Sequence, residues 1–149
     1  MPVVVYGSWL GMLALHELGH VAHAVLSGGR VAGIVFPLVG FSQTIVHPNP
    51  RPLFVVWGGP VWGALLPVMA CAVIRFTRVG VPQVLRFFAG FCLIANGAYV
   101  GAGWLTRAGD AGDMMDHGTP VPVMVVFGTA CIAAGLYAWH RTRGVAGIA

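Results

Sequence analysis

The chain has 149 residues, of which 58% are hydrophobic and only 8% charged, with a mean hydropathy of +0.84. A soluble domain carries about a quarter charged residues, so this composition excludes an ordinary water-soluble globule. It points instead to an all-α integral membrane protein formed by one domain over residues 1–149. The net charge of +4 comes from arginines alone, placed near the ends of apolar runs, which fits membrane-edge anchoring and excludes a nucleic-acid surface.

About four transmembrane helices are expected, near residues 3–26, 53–74, 84–105 and 121–140, with a β-hairpin or re-entrant segment near 30–47 after the first. The first run, about Val3 to Leu26, is long enough to cross roughly 30 Å of hydrocarbon, and Ser27-Gly28-Gly29 ends it. Inside it lies His16-Glu17-Leu18-Gly19-His20, an H-E-x-x-H pattern. Four residues are a little over one helical turn, so His16 and His20 project from one face and two imidazoles can share one Zn²⁺. Glu17 falls beside the metal, where a general base for water is needed. Two satisfied histidines and a buried glutamate are the structural alternative; ionisable groups in hydrocarbon are expensive, which favours function. Because this run carries the motif, it is expected to be retained rather than cleaved as a signal peptide.

From Arg30 to His47 two short β-branched and aromatic runs, Val31 to Phe36 and Phe41 to Val46, flank a Pro37 to Gly40 break. This suggests a hairpin, with an irregular re-entrant loop as the alternative. An open sheet edge cannot face lipid; in a wet cavity it is able to receive an extended peptide by strand addition. The connector His47-Pro48-Asn49-Pro50-Arg51-Pro52 forbids regular helix.

The second helix carries Gly58-Gly59-Pro60 near its start, small residues that permit close helix contact. The third has one interior amide, Asn96, which is either interhelical glue or a hydrogen-bonding partner for a bound peptide backbone. After it comes the acidic stretch from Thr106 to Pro120. The four carboxylates of the chain are Glu17, Asp110, Asp113 and Asp116, so three of them fall here. A tetrahedral zinc with two histidines needs a third protein ligand. Asp110 and Asp113 are the candidates, and His117 is a weaker one. Helix capping is the alternative role for these aspartates, and Asp116 suits either solvent or a pairing with Arg107. His23 suits a place behind the metal ligands or lining the cavity, not a ligand's. Cys71, Cys92 and Cys131 have no C-x-x-C spacing and read as free buried thiols.

These residues together resemble the site-2 protease family of intramembrane zinc metalloproteases, most nearly its compact members. The likeness covers about residues 10 to 118: the histidine motif, the strand-like segment after it, Gly58-Gly59-Pro60, and Asn96 followed by a membrane-edge aspartate. It implies His16 and His20 as zinc ligands, Glu17 as general base and Asn96 as a substrate-binding residue. The chain departs from the family at the third ligand. The family's compact Asn-x-x-Pro-x-x-x-x-Asp-Gly pattern is replaced by Asn96 and Asp110 with no proline between, and the aspartate precedes Ala111-Gly112.

The expected activity is zinc-dependent hydrolysis of a peptide bond in or beside the bilayer of a prokaryotic cell membrane, acting on a membrane-protein substrate. With no soluble recognition domain, selection falls to the membrane core or to a regulatory membrane partner or second copy of the chain. The rival expectation is a non-catalytic membrane scaffold or metal-binding pseudoprotease. Orientation is contested: Arg75, Arg78, Arg86, Arg141 and Arg143 on the side of the termini oppose Arg30, Arg51 and Arg107, which places the termini in the cytoplasm. The family likeness implies the reverse.

Overall fold

A computed structural model describes residues 2–77 and 80–140; Arg78, Arg141 and Arg143, used above to weigh orientation, lie outside the described residues. The order is α1 (Pro2–Leu26), β1 (Val31–Val35), β2 (Gln43–Val46), α2 (Pro52–Arg75), α3 (Gln83–Gly103), α4 (Asp110–Asp116) and α5 (Val121–His140). Among these, α2, α3 and α5 are long and apolar enough to cross a membrane. The expected count of four is thus met by three. α1 is just as long, but Ser8, His16, Glu17, His20 and His23 lower its hydropathy.

Local chemistry sets the boundaries. α1 ends where Gly28 takes a positive φ of 78°, and the Gly29 and Gly28 amides return to the Ala24 and Val25 carbonyls, a glycine-terminated cap. α2 begins at Pro52, a position where the missing N–H costs nothing. The segment between forms an antiparallel hairpin with Ile34 opposite Thr44 and Val35 opposite Gln43, and an irregularity between Val31 and Gly33. The hairpin, not the irregular loop, is therefore the form adopted.

Packing runs α1 on α2, α2 on α3 and α3 on α5. Small residues let these helices approach closely, the kind of contact that apolar helices use where they meet in lipid. At α1–α2, a side chain on Gly19 would strike the Gly58 backbone; at α3–α5, Gly97 and Gly101 lie against Gly128. Beside these seams, Met114 and Met124 are fully buried with Val56, Val100 and Ala111, which anchors the short α4 to the bundle. Cys71, Cys92 and Cys131 are free thiols.

Candidate metal centre

The polar residues converge at one end of the bundle, from the second half of α1, the start of α2, the end of α3 and the start of α4. His16 and His20 are 7% and 6% exposed. Their Nε2 atoms lie 3.1 Å apart, and Asp110 Oδ2 sits 2.7 Å from the first and 3.2 Å from the second. Among the described residues these three form the one group of His, Cys, Asp and Glu arranged to hold a metal ion.

The other ring nitrogens decide what this cluster is. Asn96 Nδ2 donates to the Cys92 carbonyl at 2.9 Å, which leaves Asn96 Oδ1 as the atom facing His16 Nδ1 at 2.7 Å. An amide oxygen only accepts, so His16 Nδ1 carries the hydrogen. By the same logic His20 Nδ1 donates to the Val55 carbonyl, 2.9 Å away. In the neutral rings both Nε2 atoms are then bare lone pairs, aimed at each other and at a carboxylate oxygen. A single proton relieves one such contact at a time; one divalent cation relieves all three. The His20 separations of 3.1 and 3.2 Å lie close to the roughly 3.3 Å edge of a tetrahedral zinc site with bonds near 2.0 Å, and the 2.7 Å between His16 and Asp110 has to widen by about 0.6 Å. The donor set thus fits a zinc-type ion.

The backbone around the cluster is shaped to leave room. A Cβ on Gly59 would overlap both imidazoles, and one on Gly63 would lie 2.9 Å from both amide atoms of Asn96. The Gly-Gly-Pro motif read from the sequence as a helix contact therefore also cradles the two histidines. Asp110 opens α4, and its backbone N–H donates to the Tyr99 hydroxyl at 2.9 Å. Burial, the largest single influence on the Asp110 carboxyl, favours its neutral form, but when no cation is bound and a proton sits on the imidazoles instead, hydrogen bonds and positive charge from protonated His16 and His20 outweigh burial and hold the carboxyl well below the usual carboxylate range.

Glu17 is 3% exposed and accepts a 2.5 Å hydrogen bond from Thr44 Oγ1 on β2. It faces a cavity of about 550 Å³ whose walls include His20, Asp110 and Gln43 to Val46. A smaller cavity of about 120 Å³ shares Glu17, Ser42 and Tyr99 with it. The Phe41 ring lines both and is stacked on Tyr99 with centroids 5.7 Å apart.

No family model, curated protein or solved structure matches the chain.

The remaining sequence candidates lie nearby without joining the cluster. Asp113 and His117 line the larger cavity, and His117 Nδ1 is 2.8 Å from the Asp113 carbonyl. Asn96 is 1% exposed with both amide atoms engaged within the chain, so in this arrangement it positions His16. His23 ties α1 to α2 instead of lining the cavity: Nδ1 donates to the Phe54 carbonyl at 2.6 Å and Nε2 accepts the Trp62 indole N–H at 3.0 Å. Asp116 pairs with Arg107. Thr44, Tyr99 and the Val55 carbonyl had no signal in the sequence, because their roles come from partners at sequence distances of 27, 11 and 35 residues.

Proposed function

We propose that this chain is a membrane-embedded zinc metalloendopeptidase of the site-2 protease type, with α1 as a fourth span beside α2, α3 and α5. The observation that carries this reading is the convergence of three lone-pair donors, from His16, His20 and Asp110, beside a buried carboxylate that bears no arginine or lysine partner among the described residues. A structural cluster has no use for that extra carboxylate. His16, His20 and Asp110 would hold the zinc, which when bound supplies a Lewis acid for water and the scissile carbonyl.

The chain's own groups supply the rest. Glu17, oriented by Thr44, takes a proton from the attacking water, and as the C–N bond breaks it passes that proton to the departing amine. Asn96 and the Val55 carbonyl hold the imidazoles in the tautomer that presents Nε2. β2 is paired to β1 on one side and lines the larger cavity with Gln43 to Val46, so an unwound segment of a membrane-protein substrate has a strand edge to pair with beside Glu17. Such pairing offsets part of the cost of leaving the helical state.

Elemental analysis of purified protein tests the reading. About one zinc per chain is expected in the parent and in Asp113→Ala, with loss in His16→Ala and Asp110→Ala. Glu17→Gln should keep the zinc and abolish hydrolysis of single-span membrane peptides in detergent. Zinc without hydrolysis in the parent favours the pseudoprotease; a parent that stays metal-free in added zinc removes the reading altogether.

A further inference from the structure

The cavity of about 120 Å³ has walls from three elements: Trp9, Met12 and Leu13 of α1, Ala95 of α3, and Phe41 and Ser42 ahead of β2. Its inner end is formed by His16, Glu17, Asn96 and Tyr99. Most of those polar atoms are already committed: Asn96 to His16 and Cys92, the Tyr99 hydroxyl to the Asp110 amide, Glu17 to Thr44. What remains on offer is an apolar hole ending at the proposed general base.

Its place along β2 gives it an occupant. Glu17, Phe41, Ser42 and Tyr99 line both cavities, so the small one adjoins the larger at the general base and at the residues leading into β2. A peptide paired to the open edge of β2 with its scissile carbonyl at the cluster therefore presents the side chain adjoining the cut to this hole.

We propose that the small cavity is the side-chain pocket for the substrate residue next to the scissile bond, and that it selects a medium aliphatic side chain of leucine type. This rests on the metallopeptidase reading above. An acidic side chain would be stripped of water among Trp9, Met12 and Leu13 and would face Glu17, while a basic one would be stripped likewise and would pair with Glu17 only by tying up the carboxylate that has to take the proton from water. Glycine would leave the hole unfilled. Phe41, which lines both cavities, supplies an aromatic wall for that side chain to pack against.

The test uses zinc-loaded protein in detergent and a set of small hydroxamates whose chelating end anchors at the cluster. They differ only in the adjoining substituent: hydrogen, isobutyl, benzyl, carboxymethyl or aminobutyl. Affinity is read by displacement of a fluorescent hydroxamate, independent of any cleavage. The isobutyl compound should bind about tenfold or more tighter than the hydrogen and charged compounds. Ala95→Leu, which fills the pocket, should erase that advantage over the hydrogen compound. Met12→Ala, which enlarges it, should move the preference towards benzyl, and covers the case in which Ala95→Leu does not fold. Equal affinities across the set, or an order that neither variant changes, overturns the pocket while leaving the metal site standing; this is also the result if lipid or detergent fills the hole. If the protein holds zinc but not even the hydrogen compound binds, the metallopeptidase reading fails and the pocket assignment with it.

Discussion

Thr44 Oγ1 on β2 donates a 2.5 Å hydrogen bond to Glu17 Oε2 on α1, joining the hairpin to the carboxylate beside the histidines. The contact links the element suited to hold a substrate to the group suited to activate water. Thr44→Val keeps the side-chain volume and deletes the hydroxyl. The expected result is a fall in cleavage rate of about tenfold, the value of one modest hydrogen bond to a charged group, with zinc content unchanged. Thr44→Ser should recover most of the rate. A valine variant that also loses its zinc would show that Thr44 supports the whole centre and not Glu17 alone.

Asn96 acts one step further back, through His16. Asn96→Ala leaves His16 Nδ1–H without its acceptor in a site where the amide is 1% exposed. Loss of such an outer partner costs about 10- to 100-fold in metal affinity, and competition with a zinc chelator is the measurement. Helix content by circular dichroism should be unchanged. Unaltered zinc affinity would return Asn96 to the substrate-binding role expected from the sequence.

On the Asp110 side, the Tyr99 hydroxyl accepts the Asp110 N–H at 2.9 Å. Tyr99→Phe removes that acceptor and is expected to weaken zinc binding several-fold, less than loss of the carboxylate itself, because Oδ2 still faces both imidazoles. Gly109→Ala should be worse. Gly109 has a φ of 50°, where a side chain is strained, and a Cβ there would overlap the same hydroxyl. Zinc affinities in the order parent, Tyr99→Phe, Gly109→Ala check the argument; equal affinities in all three would dismiss it.

The apolar framework was legible in the sequence because hydropathy and helix stops are local. The runs expected near 53–74, 84–105 and 121–140 correspond to Pro52–Arg75, Gln83–Gly103 and Val121–His140. The hairpin was legible for the same reason: Pro37 and Gly40 separate two β-branched runs. The spacing of His16 and His20 is also a one-helix property. What spacing did not decide was the choice between Asp110 and Asp113. Both open the same short helix, and only the packing of Met114 and Ala111 against Val56 and Val100 fixes which of them turns towards α1. Asn96 was legible as a buried amide in need of a partner, but the partner lies 80 residues away, and a linear reading had no means of separating a histidine from a bound peptide.

Gly59 gives the sharpest contrast between a local and a tertiary rule. Within a helix, alanine is favoured over glycine by roughly 0.5–1 kcal/mol. At Gly7 of α1 nothing lies within 4 Å of the position a Cβ would take, so Gly7→Ala is expected to raise the thermal unfolding midpoint slightly and leave zinc content alone. At Gly59 the same methyl would fall 2.6 Å from His16 Nε2 and closer still to His20 Nε2. Overpacking of this kind costs about 1–3 kcal/mol, enough to cancel the propensity gain. More decisively, it pushes aside the two atoms that would bind the metal. Gly59→Ala should therefore lose zinc while Gly7→Ala keeps it, under identical purification. If both variants retain one zinc per chain, the imidazoles have slack that the packing against Gly59 denies, and the tight cradle assigned to that glycine is wrong.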